Sequence, residues 1–140
     1  MVSDKAIRQA LYQRLNVASV TSVLGSGSAS LVHGQAPASA LYPLCVFHKQ
    51  SGRNDLQGFG GEGVRNHIWL VKGVVRATSA SVAEDIDKAA ADRLHNSFPS
   101  ITDAGTAYLA REGDVNYSEV VGDQTYWHVG GLYRWFVYAT

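Results

Sequence analysis

The sequence predicts an α+β fold: a mostly antiparallel sheet with two helices packed on one face. Two observations favour it. Apolar residues recur with helical spacing in two separate stretches, and much of the rest of the chain is rich in β-branched and aromatic residues. The chain has 140 residues, the size of one ordinary domain, and neither a repeat nor a linker divides it. Residues 1–140 are therefore expected to form a single domain.

The first helix is predicted over residues 4–16. Ser3 can accept a hydrogen bond from an unpaired N–H group of the first turn, and Asp4 suits the positive end of a helix. Apolar residues then recur at every fourth position: Ile7, Leu11 and Leu15. This spacing places them on one face, which is expected to pack against the sheet.

Strands are predicted at residues 31–33 and 42–48, with a longer strand over residues 64–78. The stretch 51–63 between the last two contains five glycines. Such a stretch packs poorly, so it is expected to form a long exposed loop.

The second helix has the clearest start signal, because Ser81 and Glu84 have the spacing of a capping box. An apolar stripe follows at intervals of four: Val82, Ile86, Ala90, Leu94 and Phe98. Pro99 is expected to end the helix. Three strands are predicted after it, at 106–111, 116–121 and 126–138, with Gly113 and Asp114 as the turn between the first two.

The charge balance disfavours several classes of partner. Twelve basic and twelve acidic residues give a net charge of zero, and only 17% of residues are charged. This disfavours a nucleic-acid binder with a broad basic face, and also binding to an acidic membrane surface. Near-zero charge weakens repulsion between copies, so self-association is tolerated. The start of the chain lacks a signal peptide and no apolar run could span a bilayer, so the protein is expected in the cytoplasm where it is made.

No catalytic, cofactor or metal site is predicted. The segment 58–63 fits G-x-G-x-x-G, but a dinucleotide site needs a helix directly after this motif, and a strand is predicted instead. The five histidines show no metal-ligand spacing, and a single cysteine, Cys45, excludes an intramolecular disulfide. No nucleophile, base and orienting group can be assembled, so the chain is not expected to be an enzyme.

Aromatic residues are abundant on the long predicted strands. Two explanations remain open: a large aromatic core, or a permanent subunit interface, which is typically aromatic-rich and poor in charge. On the second explanation the candidate interface residues are Trp69, Trp127 and Trp135.

Several short segments, in order along the chain, resemble the tail-completion family of long-tailed bacteriophages, also called tail-terminator or tail-to-head joining proteins. The segments are the first helix 7–15, His33 to Pro37 followed by Tyr42 to Phe47, the helix end 91–95, Arg111 to Asp114, and the closing run 127–134. Each is weak alone, and their order and spacing over nearly the whole chain carry the resemblance.

The resemblance implies a virion protein without catalysis. It implies a homo-oligomeric ring, typically a hexamer, at the head-proximal end of the tail, assembled in the host cytoplasm. Such a ring caps the tail tube protein, docks to a head-completion or connector protein, and lets DNA pass without specific recognition. A ring repeats one head-to-tail contact until rotation closes it.

Within the glycine-rich stretch, four residues are expected to contact a neighbouring ring or subunit: Arg53, Asp55, Phe59 and Glu62. Two other functions remain open. One is a different head–tail connector component, such as an adaptor or a minor capsid protein. The other is a small-molecule-binding enzyme with an aromatic-lined cleft, which a metabolite-induced rise in melting temperature would support.

Overall fold

The computed structural model describes residues 3–56, 63–102 and 106–138. The helices are α1 (Asp4–Leu15), α2 (Ala18–Thr21) and α3 (Ser81–Leu94). The strands are β1 (Leu31–His33), β2 (Leu44–Leu56), β3 (Gly63–Arg76), β4 (Thr106–Val121) and β5 (Gln124–Tyr138). A short 3₁₀ turn over Gly27–Ser30 leads into β1.

The five strands form one sheet in the order β1-β2-β3-β5-β4. β1 runs parallel to β2, and every other neighbouring pair is antiparallel. The two long helices pack on one face of this sheet, so the predicted α+β fold is confirmed. We call the opposite face the open face.

The core lies between the sheet and the helices. α1 contributes Ile7, Leu11 and Leu15, as its spacing predicted. α3 contributes Ala83, Ile86, Ala90 and Leu94. The sheet side is aromatic: Phe47, Trp69, Tyr133 and Trp135 are each at most 2% exposed. Burial of these large side chains is the main stabilising contribution of the fold.

The two helix starts differ from each other. At α1, Ser3 Oγ accepts a hydrogen bond from the Ala6 N–H at 3.1 Å, as predicted. At α3 the predicted capping box is absent. The cap residue is Ala80, without a side-chain hydrogen bond, so Ser81 already lies inside the helix. Because the helix begins one residue earlier than the motif requires, Glu84 is one position too late to complete the box.

The end of α3 was predicted too far along the chain. The helix ends at Leu94, and Asn96 takes a positive φ of 54°. The chain then turns so that Ser97 pairs with Leu109 on β4. Phe98, expected on the buried stripe, is 69% exposed. Because the helix ends at Leu94, Phe98 no longer lies on the buried face of α3.

Two of the predicted strand boundaries were also wrong. Residues 51–56, expected in a loop, continue β2 and pair with β3, with a bulge after Lys49. Residues 106–121 form one strand rather than two, because the expected turn at Gly113 is a bulge between Arg111 and Gly113. Bulges absorb an extra residue without ending the pairing. Two long strands therefore follow α3, not three.

Candidate assembly surfaces

The side chains with nucleophilic or metal-binding chemistry show no assembled site among the described residues. No group of three His, Cys, Asp or Glu side chains in this part of the chain could hold a metal ion. Cys45 is fully buried, and burial, with a smaller contribution from Asp87, raises the pKa of its thiol to about 12. The thiol is therefore protonated at neutral pH and behaves as a small core side chain. Of the glycine motif, Gly63 begins β3 and the rest lies outside the described residues.

The three candidate tryptophans lie in different environments. Trp69 and Trp135 are 2% and 0% exposed, in the core between sheet and helices. Burial within one chain leaves them no surface for a neighbouring copy, so they belong to the aromatic core instead. Trp127 is half-buried beside Ala80, and its Nε1 donates a hydrogen bond to the Thr78 carbonyl at 3.3 Å. The interface prediction therefore stays open for Trp127 only.

The four candidate contact residues fall in two groups. Arg53 and Asp55 lie on β2, where their backbones pair with Asn66 and Val64 of β3. Phe59 and Glu62 lie outside the described residues. Two of the four thus belong to a strand that extends the sheet, not to a loop.

The open face is covered at one end by the connector 34–43. There Ala36, Ala40 and Tyr42 pack against a small apolar cluster of Leu44, Val46 and Val74. Further along the strands the face carries half-buried apolar and aromatic side chains: Ile68, Tyr108, Leu132 and Phe136. The helices lie on the other side of the sheet and cannot cover these side chains.

Arg134 and Glu112 form an ion pair on the open face, and Lys72 of the same face donates from Nζ to the Tyr117 hydroxyl at 3.0 Å. Arg134 donates from Nη2 to Glu112 Oε1 at 2.9 Å, and its Nε also bonds to Glu112. Its Nη1 bonds to the Asn66 side chain. The guanidinium borders an open cavity of about 330 Å³ between β2, β3 and β5, where the bulge of β2 interrupts the pairing. Paired charges on a half-apolar face suit a surface that meets another protein.

The hairpin of β4 and β5 ends in an exposed apolar tip. Val120 and Val121 are 69% and 59% exposed, directly before the turn at Gly122, whose φ is 64°. Beside the tip, His128 Nε2 lies 2.7 Å from Glu119 Oε1, and the His128 ring stacks on Tyr117 at 4.4 Å. Turn-proximal residues are usually polar, so the two consecutive valines before the Gly-Asp turn are a signal in the sequence for an exposed apolar surface.

Arg111 connects this hairpin to α3. Its Nη1 lies 2.6 Å from Asp87 Oδ1 and its Nη2 3.1 Å from Asp87 Oδ2. It also donates to Asp114 and to the Gly130 carbonyl. Burial disfavours the cation, but the hydrogen bonds to the two carboxylates outweigh it, so the pKa of Arg111 is raised. The guanidinium therefore holds the bulged part of β4 against the helix layer.

None of the described helices combines the length and apolar character needed to cross a bilayer.

Comparison with known proteins gives a likeness to solved structures. No protein-family model and no curated protein matches the chain. Among solved structures, the chain is similar to a chain of a structure described as the virion of a native gene transfer agent (GTA) particle. The two are 16% identical, superpose with a TM-score of 0.74, and each is covered over 96% of its length. An identity this low shows a shared fold, and the coverage shows that the likeness extends over nearly the whole length of both chains.

Proposed function

We propose that this chain is a structural virion protein: a tail terminator whose copies form a ring that caps the tail tube and docks it to the head. The carrying observation is the likeness over 96% of both chains to a component of a phage-like virion. The ring, its hexameric number and its position at the head-proximal end of the tail are extensions from the family that the sequence resembles.

The surface chemistry supports a role in assembly. Half-buried apolar side chains lie on the open face and exposed valines form the tip of the β4–β5 hairpin, while the net charge is zero. Weak mutual repulsion lets identical copies approach, and exposed apolar area provides the free energy of association. A ring of subunits without net charge would also bind DNA weakly, since nonspecific affinity comes from contacts between basic residues and phosphates.

The second candidate is another component of the head–tail connector, such as an adaptor or a minor capsid protein. The same likeness favours it, because the description of the similar structure names the virion and no position within it. Adaptors and terminators both form rings by repeating one contact, so the subunit fold does not separate them.

Copurification separates the two candidates. Headless tails and tailless heads are purified from assembly-blocked lysates of the phage that encodes the chain, and each is probed for this protein. A terminator stays with headless tails, because it binds the tube before the head arrives. Recovery with tailless heads alone would reject the terminator and favour the adaptor.

The proposed contacts of the β2–β3 connection are tested with Phe59→Ala and Glu62→Ala. We expect both variants to reach the tails but to join tails to heads at least tenfold less efficiently, since these side chains are proposed to meet the neighbouring ring. Phe98→Ala is the matched control, because it removes an exposed phenylalanine elsewhere. Equal joining by Phe59→Ala, Glu62→Ala and the control would remove these residues from the proposal.

A further inference from the structure

Both long edges of the sheet are covered along only part of their length. At one edge, β1 pairs with β2 only from Cys45 to Phe47. At the other, Ser97 and Leu109 exchange two backbone hydrogen bonds of 3.2 and 2.9 Å, which covers β4 near its start. Beyond these contacts, the described part of the chain provides no second strand partner, on the outer edge of the sheet, for β2 residues 48–56 or β4 residues 113–121.

The two uncovered stretches lie at diagonally opposite corners of the sheet. One row of paired residues runs across the sheet from Gly52 through His67 and Trp135 to Leu109. The uncovered part of β2 therefore lies opposite the part of β4 that Ser97 covers. A second row runs from Cys45 through Gly73 and Val129 to Asn116, so uncovered β4 is level with covered β2. Within residues 3–56, 63–102 and 106–138, each copy therefore presents two free strand edges on opposite sides of the sheet.

Antiparallel alternation identifies the backbone groups that point outward. Val121 and Gln124 close a two-residue turn, so they form a hydrogen-bonded pair and every second residue of β4 faces away from β5. The outward residues are Asp114, Asn116, Ser118 and Val120. On β2, the Phe47 carbonyl faces β1, where it accepts from Gly34 at 3.0 Å. Counting past the bulge, the outward residues are Gly52, Asn54 and Leu56.

We infer that the free edge of β4 in one copy pairs with the free edge of β2 in the next, so that a second copy of this chain is the occupant of both edges. This inference rests on the self-assembly in the proposed function and specifies its contact. In copies related by a ring axis, β4 of one runs antiparallel to β2 of the next, because β2 and β4 run in opposite directions within the sheet.

Charge and length agree with this pairing. Residues 113–121 contain the acids Asp114 and Glu119 and no base, whereas residues 48–56 contain Lys49 and Arg53 against one acid. Within the subunit Asp114 also pairs with Arg111 and Lys49 with Asp4, so the pairing in the ring would share these charges. Each stretch spans about 30 Å at ~3.4 Å per residue, and neither contains a proline that would block an edge. Because the free edges lie at opposite corners, successive copies are staggered along the strands, and closed sheets require such a stagger with tilted strands.

Proline at an outward position tests each edge. Ser118→Pro and Asn54→Pro remove an N–H that donates only to the next copy, so the pairing inside the subunit is kept. Ser118→Ala and Asn54→Ala are the matched controls, because they change the same side chains and keep the N–H. Light scattering measures the mass, and circular dichroism verifies the fold. We expect oligomers from the wild type and both alanine variants, and folded monomers of 15.1 kDa from both proline variants.

A mixture of the two proline variants tests the head-to-tail geometry. Each variant keeps one intact edge, so the mixture can form only a dimer, of about twice 15.1 kDa. Dimers in the mixture but in neither variant alone support β4-to-β2 pairing. If Asn54→Pro alone forms dimers, β4 pairs with β4. If either folded proline variant forms the same oligomers as the wild type, the mutated edge is not the contact. Both results overturn the inference.

The same variants on purified tails separate this inference from the proposed function. Wild type and Ser118→Pro both retained on headless tails would support the terminator and overturn the edge pairing. Suppose instead that the wild type is an oligomer, that Ser118→Pro is monomeric, and that the wild type does not bind tails. This result would support the edge pairing and overturn the terminator. A wild-type chain that is monomeric at every concentration and absent from tails overturns both.

Discussion

Arg111 is the residue whose partners should matter most for stability. Its guanidinium and the Asp87 carboxylate are 19% and 17% exposed, so each is largely removed from water. In Asp87→Asn the cation keeps Asp114 but loses its two-point partner on α3. We expect the free energy of unfolding to fall by about 2 kcal/mol, because a desolvated cation loses its main counter-charge. Urea denaturation measures the change.

Asp92→Asn is the control on the same helix. Asp92 pairs with Lys88 at 2.9 Å, but both side chains are more than half exposed. An exposed pair contributes little, so the expected loss is about 0.5 kcal/mol or less. Equal losses in the two variants would mean that burial of the Arg111 pair adds no stability.

His128 gives the fold a pH dependence with a defined sign. Burial lowers the pKa of His128 below 6.5 and outweighs the hydrogen bond to Glu119, and the charge of Lys72 lowers it further. The Nδ1 atom is buried without a hydrogen-bond partner among the described residues, so a proton there would have no acceptor. Between pH 7 and pH 5 the unfolded chain therefore binds more protons than the folded chain, and the free energy of unfolding falls as the pH is lowered.

His128→Gln should reduce this slope, because glutamine can still donate to Glu119 and does not titrate. A second contribution remains, since burial also lowers the pKa of His33, with smaller contributions from Arg8 and His48. The test is urea denaturation at pH 7 and pH 5, with NMR titration of the ring. An unchanged slope in the variant, or a His128 pKa above 6.5, would contradict the assignment.

At the scale of elements, Gly73 determines how closely α3 lies on the sheet. A Cβ at this position would be 2.8 Å from both the Ala83 carbonyl oxygen and the Ile86 Cβ. Gly73→Ala should push the helix outward and lower the free energy of unfolding by about 1–3 kcal/mol, measured by urea denaturation. In Gly113→Ala the nearest atom is a Leu132 carbon at 3.5 Å, an ordinary contact, so this variant should lose less than about 1 kcal/mol. A larger loss of unfolding free energy in Gly113→Ala than in Gly73→Ala would contradict this role of Gly73.

The elements that periodicity specified were predicted well, and those that tertiary pairing specified were not. α1 follows directly from apolar spacing, since Ile7, Leu11 and Leu15 share one face and are buried. The strand was predicted to end at residue 48, before the glycine-rich stretch, but pairing with β3 continues it to Leu56. The turn expected at Gly113 is a bulge, because β5 continues on the other side and keeps β4 extended. Local propensity cannot report a partner strand that lies elsewhere in the sequence.

The candidate site was harder to predict than the fold. Trp69 and Trp135 were candidates for a core and for an interface alike, because aromatic content alone does not distinguish the two; both are buried in the core. The free strand edges depend on which strands neighbour each other and on where Ser97 and β1 end their pairing. These are properties of the assembled sheet. No residue type marks them in the sequence.

At the scale of the whole molecule, assembly and folding stability should be coupled. A ring binds folded subunits and not unfolded ones, so its formation stabilises the fold by mass action. Each tenfold rise in protein concentration raises the free energy of unfolding by at most about 1.4 kcal/mol per subunit. For a chain of 140 residues this corresponds to a rise in melting temperature of up to about 5 °C.

Calorimetry across a hundredfold range of concentration measures this coupling. The melting temperature of the wild type should rise with concentration. The melting temperature of Ser118→Pro should not depend on concentration, because this variant is expected to be monomeric. Ser118→Ala should follow the wild type, because it keeps the backbone donor of β4. A melting temperature that is independent of concentration in all three, while light scattering shows an oligomer, would mean that the copies associate without stabilising the fold. A ring that buries backbone hydrogen bonds between its subunits cannot behave in that way.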